Sequence, residues 1–245
     1  MSIVTAHSPL HYAPHTPVLW LMQGLALALL SHPSSAHPPQ AHTPTDADPV
    51  SQPEPDPATV RLTDFTDPEH NAGWYPVLDN VMGGRSLGAH AFADGVLTFT
   101  GSINTNGGGF ASLRLRIPPG TFADTTHLAL RLRVPDTPEL RDRGPFRLML
   151  MDDLHTLPRN HPRHRDRRIT HRVDLPLEPE LAGQWQTVRV SLTDFAPSWR
   201  GRSMPQEGPL DPARTVELGI IINDATDGPF HLDVDWIDSV PPSTD

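Results

Sequence analysis

The sequence predicts an all-β protein, an antiparallel sandwich or jelly roll, and three observations carry that prediction. Beyond Ala58, apolar and polar residues alternate with period two in one run after another, the mark of strands with one buried face. Gly, Pro and Asp punctuate the runs, as turns require. Outside the leader, no stretch of ten or more residues shows the spacing of an amphipathic helix. A domain of about 185 residues can bury a core large enough to fold alone.

The first 58 residues stand apart. They hold eleven of the 29 prolines, six histidines, four acidic residues (Asp46, Asp48, Glu54, Asp56) and no arginine. Inside them lies an apolar run of 13 residues, Val18 to Leu30. That is short for a membrane span of about 20 residues, so the chain is not expected to be an integral membrane protein. The run fits the hydrophobic part of a secretory signal, and Ser34-Ser35-Ala36 offers a small-x-small cleavage site. The preceding segment has no Lys or Arg, only His7, His11 and His15. A signal over 1–36 and a periplasmic or secreted protein are expected; the alternative is a cytoplasmic protein with a disordered leader. Residues 37–58 read as a proline-rich, disordered linker, and 59–240 as the folded domain.

Within the domain the strands follow in order. The segment Gly95 to Gly101 reads as the first. Ala111, Leu113, Leu115 and Ile117 alternate with Ser112, Arg114 and Arg116. Leu128, Leu130, Leu132 and Val134 alternate with Ala129, Arg131 and Arg133; Phe146, Leu148 and Leu150 alternate with Arg147 and Met149. Then come Gln186, Val188, Val190 and Leu192 against Trp185, Thr187, Arg189 and Ser191, followed by Val216, Leu218, Ile220 and Ile222. Phe230, Leu232, Val234 and Trp236 close the series, opposite His231, Asp233 and Asp235.

Composition excludes several chemistries. Without cysteine there is no disulfide, thiolate metal site or cysteine nucleophile. All 19 Lys-or-Arg residues are arginine, so no Schiff-base or phosphate-loop lysine exists. A net charge of −10 disfavours nucleic acid as a partner. No Gly-x-Ser-x-Gly elbow, His-Glu-x-x-His or phosphate-binding loop occurs. No catalytic residue, metal site or cofactor is therefore expected.

Two glycine-rich segments flank the first strand: Asp79-Asn80-Val81-Met82-Gly83-Gly84-Arg85-Ser86 and Asn104-Thr105-Asn106-Gly107-Gly108-Gly109-Phe110. They can be binding loops, in which Asp79, Asn80, Asn104 and Asn106 present oxygens and Arg85 a forked donor. They can equally be structural turns, with Gly83 and Gly84 in left-handed conformations. Turn chemistry alone accounts for every residue type, with Met82 as a core filler and Phe110 buried.

Arg114, Arg116, Arg131, Arg133 and Arg147 share the polar phase of their strands. Side by side they would form a cationic stripe for an anionic ligand or an acidic partner; alternatively, cross-strand carboxylates such as Asp233 and Asp235 neutralise them. The region Asp152 to His171, with Arg172 beyond it, is the most basic of the chain and reads as a solvated loop. Trp74, Tyr75 and Trp199 are candidate sugar platforms, although core packing would explain them as well.

At the two glycine segments the sequence resembles the complex I intermediate-associated protein 30 family. The likeness continues through Gly144 to Leu150, Gln184 to Val188, Leu192 to Pro197, Arg200-Gly201, Leu218 to Ile222 and Asp227 to Leu232. It implies a galactose-binding-like jelly-roll β-sandwich and a non-catalytic assembly factor with a protein partner, a respiratory-complex subunit being the one implied. Asp79, Asn80, Gly83, Gly84, Arg85, Asn104, Asn106, Arg114, Arg131, Trp199 and Arg200 are the candidate contacts. The alternative function is that of a carbohydrate-binding module. The chain departs from the family in its third consecutive glycine, its 152–171 insertion and its export-like leader.

Overall fold

One long strand organises the fold. In the computed structural model, which describes residues 59–153 and 169–242, β13 (Gly228–Val240) pairs β4 (Val96–Ile103) along its first half. Along its second half it pairs β6 (His127–Arg133) and β1 (Val60–Thr63). With β3 (Leu87–Ala93) beside β4 and β9 (Gln186–Ser191) beside β6, these make a six-stranded antiparallel sheet. The second sheet has seven strands, in the order β11 (Arg202–Ser203), β10 (Ala196–Trp199), β8 (Thr170–Asp174), β7 (Phe146–Asp152), β12 (Thr215–Ile222), β5 (Ala111–Arg116) and β2 (Trp74–Leu78). The described α-helix, α1 (Pro68–Asn71), is four residues long and is capped by Asp67, whose carboxylate accepts from the Glu69 amide. No described helix is long and apolar enough to cross a membrane.

The alternation read from the sequence becomes the core. Phe99, Phe122, Phe146, Phe230 and the inward leucines and isoleucines of both sheets are essentially free of solvent. The rings of Phe99 and Phe230, on the paired strands β4 and β13, meet at 4.9 Å, a tilted contact that adds to their burial. One inward assignment fails. A bulge between Val234 and Trp236 shifts the register of β13, so Ile237 enters the core while Trp236 is half-buried under the Arg61 guanidinium. Bulges re-aim side chains in this way, and alternation alone does not reveal them.

The basic insertion is shorter than expected. Asp152 ends β7, and Thr170 and His171 belong to β8, with His171 buried. Residues 154–168 lie outside the described residues, as do the leader and the linker. The described strands belong to the compact unit Gln52–Asp245.

Candidate functional site

Asp79 ties the two glycine segments together. A 3-10 turn over Asp79–Met82 ends at Gly83, whose φ of 89° is the left-handed geometry that glycine tolerates. The chain then doubles back, and the fully buried Asp79 carboxylate accepts from the Ser86 amide at 2.9 Å and the Ser86 hydroxyl at 2.6 Å. From the second segment it accepts from the Gly109 amide at 2.6 Å. Gly84 does not take the left-handed angle expected of it. It is glycine because an added Cβ would stand 2.3 Å from Asp79 Cγ; at Gly108 a Cβ would stand 2.3 Å from Asp79 Oδ2. Two glycines thus make room for one carboxylate. The Ser86 hydroxyl also accepts from the Asn104 amide, and Asn104 Oδ1 accepts from the Asn106 amide.

A third loop joins this knot. Asp227 accepts from the Thr105 amide at 2.6 Å. Arg143 pairs with Asp224 at 3.1 Å, both side chains being almost entirely buried, and donates to the carbonyls of Thr226, Asp227 and Gly228.

Burial opposes the charge on Asp79, yet hydrogen bonds from Ser86, Gly109 and Phe110 outweigh it and hold the carboxyl below its usual range. Asp233, in the six-stranded sheet, behaves alike: Arg133, His231 and Thr98 overcome its burial. An acid whose folded pKa lies below the unfolded value of about 3.9 stabilises the fold above that value. The stabilisation is lost as pH falls through the folded pKa. Asp238 acts in the opposite sense, because burial pushes it up against the pull of Arg61. Urea midpoints are therefore expected to hold near neutrality and to fall below about pH 4, and Asp79→Ala should flatten that fall. A profile equally steep in wild type and variant would contradict the assignment.

The outer face of the seven-stranded sheet carries a cleft of about 640 Å³. The register sets a row across this sheet face: Tyr75 opposite Arg114, Arg114 opposite Gly219, Gly219 opposite Met149, and Met149 opposite Arg172, of which Arg114 and Arg172 line the cleft. A Cβ on Gly219 would lie 3.2 Å from both Arg114 Cγ and Met149 Cγ, so the bare backbone lets these side chains close over it. Met149, Met151 and Ile221, with Phe110 packed on them, form an apolar floor separate from the main core. Val81 and Met82 wall one end, and Trp199, Arg200 and Gly201 the other. Met82 is no core filler: it is 48% exposed, and Val81 71%. Phe110 is half-buried at the floor rather than enclosed in the core.

The arginine stripe divides between the two sheets. Arg114 and Arg147 lie in the seven-stranded sheet, Arg131 and Arg133 in the six-stranded one. Carboxylates answer most of them. Arg131 pairs with Asp235, Arg133 with Asp233, and both cover the Trp185 ring. Arg114 donates to Glu217, which also accepts from the Tyr75 hydroxyl at 2.6 Å. Trp74 is a core residue against Phe65 and no platform. Arg200 lies 5.1 Å over the Trp199 ring. Asn80 and Arg85 are exposed on the first glycine segment.

Residues 63–234, which contain both glycine segments and the cleft strands, match the family described as Complex I intermediate-associated protein 30. The chain belongs to the complex I intermediate-associated protein 30 family. Its fold is shared by solved carbohydrate-binding modules. The family 11 module of the cellulosomal cellulase Lic26A-Cel5E of Clostridium thermocellum aligns with a TM-score of 0.51 at 12% identity, over 76% of this chain and 96% of that one. A family 11 module from the same organism, in complex with a β-1,3-1,4-mixed-linked tetrasaccharide, gives 0.52 at 13% identity, over 76% and 98%. At such identity the likeness establishes the galactose-binding-like jelly roll. No curated protein matches the chain.

For this member of the complex I intermediate-associated protein 30 family, the candidate residues thus separate into groups. Asp79, Gly83, Gly84, Asn104 and Asn106 build the knot. Arg114, Trp199 and Arg200 line the cleft, while Arg131 lies on the other sheet. Arg172, Val81 and Met151, which also line it, were not among the expected contacts. The short alternation of Thr170 to Asp174 could have placed Arg172 on a strand, but the neighbouring basic residues obscured it.

Proposed function

We propose that the domain is a non-catalytic recognition module that receives an extended segment of a protein partner in the cleft of the seven-stranded sheet. The carrying observation is the makeup of that cleft. Its described lining supplies exposed apolar side chains, Val81 and Met82, beside arginines and a tryptophan. It contains no Asp, Glu or His to act as an acid or base. Apolar patches rimmed by polar groups fit protein segments. The family description supports a role in assembling a respiratory complex, and the leader supports placing that role in the cell envelope or outside the cell.

The test is affinity capture from extracts of the source organism with the full chain and with a Val81→Asp/Met82→Asp variant. Wild type is expected to retain one defined polypeptide in stoichiometric amount and the variant to lose it, with both melting within about 2 °C of each other, as exposed substitutions do. Identical retention by both would refute the reading. The second reading, carbohydrate binding, rests on Trp199 at the cleft end and on the glucan-binding module that shares the fold. Arg200 over the Trp199 ring counts against it, because a sugar would have to displace the guanidinium. Binding of soluble mixed-linked β-glucan that Trp199→Ala abolishes would favour this second reading.

A further inference from the structure

Among the described residues, the cleft floor contains one arginine whose charge no carboxylate answers. Arg114, Arg147 and Arg172 all project from the outer face of the seven-stranded sheet. Arg114 pairs with Glu217, and Arg147 with Asp174 and Asn223. Arg172 donates its Nε–H to the Thr170 hydroxyl at 3.1 Å and has no carboxylate partner among the described residues. Three strand spacings of about 4.8 Å separate the backbones of Arg114 and Arg172, a gap that two arginine side chains span from either side.

Burial, with Arg114 and Arg147 adding repulsion, pulls the Arg172 pKa down to about 10. A guanidinium does not give up its proton in a protein. The shift therefore expresses how poorly that charge is matched, and an arriving anion would relieve both the desolvation and the repulsion.

We propose that Arg172 is the anchor of the cleft and takes the carboxylate of an acidic side chain on the bound segment, with Met151, Phe110, Val81 and Met82 receiving its apolar neighbours. This rests on the recognition reading above and names the chemistry of the partner: an Asp or Glu flanked by apolar residues. The forked guanidinium suits a carboxylate. The apolar floor and rim argue for a polypeptide over a wholly polar anion.

Random short peptides displayed and selected on the full chain provide the probe. Selected sequences are expected to be enriched in Asp or Glu beside apolar residues. For a synthetic binder, replacing its acid by the amide should weaken calorimetric affinity about tenfold or more. Arg172→Gln should weaken the acidic peptide equally and leave the amide peptide unchanged. Arg131→Gln, on the other sheet, should change neither. Arg172→Gln should also melt no lower than wild type, since it removes a crowded cation.

Selection of no binder, equal affinity for acidic and amide peptides, or undiminished binding by Arg172→Gln would overturn the proposal. Oligogalacturonate or inorganic phosphate binding more tightly than any peptide, with loss in Arg172→Gln, would overturn the choice of a polypeptide. If the acid preference is absent while Val81→Asp/Met82→Asp still abolishes partner capture, this inference fails and the recognition reading stands. If the rim variant captures as wild type does, the recognition reading fails first.

Discussion

Replacing Asp79 with alanine is expected to destabilise the domain by about 3 kcal/mol or more. The amides of buried Ser86 and half-buried Gly109 both point at this carboxylate, and buried donors left without an acceptor incur the full desolvation penalty. Gly108→Ala should be about as damaging, because its Cβ would land on Asp79 Oδ2 and force the knot apart. The double variant should cost somewhat less than the sum of the two, since removing the carboxylate removes two of the three atoms that the methyl strikes and leaves Asp79 Cβ at 2.6 Å. Urea denaturation of the four proteins measures all of this. A loss under about 1 kcal/mol for Asp79→Ala, the size of an ordinary surface change, would mean that the segments hold together without it.

Arg143→Ala should be of comparable severity, about 3–5 kcal/mol, as for breaking other buried pairs. Asp224 would be left as a buried carboxylate without its counter-charge, and the carbonyls of Thr226 and Gly228 would lose a donor. Arg143→Lys should recover only part of the loss, because a single ammonium cannot fork between an acid and a row of carbonyls. Thermal melts distinguish the cases: full recovery by lysine would show that charge alone matters at this corner.

The fold was legible because alternation survives in strands that bury one face. Inward residues read for β5, β6, β7, β9 and β12 reach the core, and β13 follows the pattern as far as its bulge after Val234. β2 and β10 each carry a proline and only four or five residues, and β8 has five next to a basic stretch, so little periodicity remains to read. Strand order was not legible at all. The arginines of β5 and β6 share a phase in the sequence, yet the chain crosses between sheets after Arg116, at the loop holding the buried Phe122. Of the site, the glycine segments announced themselves, but their purpose did not. A glycine needed for its φ and a glycine needed because a carboxylate occupies its Cβ position look the same in a sequence; Gly83 is the first kind, and Gly84 and Gly108 are the second. The cleft floor depends on cross-strand neighbours from β5, β12, β7 and β8, which no local pattern joins.

The pairing of Val60 with Ser239 brings the domain's first and last strands side by side in the six-stranded sheet. The cleft opens on the other sheet. A tag, a surface linkage or a fused protein joined directly beside Val60 or Val240 is therefore anchored on the sheet opposite the cleft. Immobilisation or display through these points starts the tether on the sheet opposite the arginine floor.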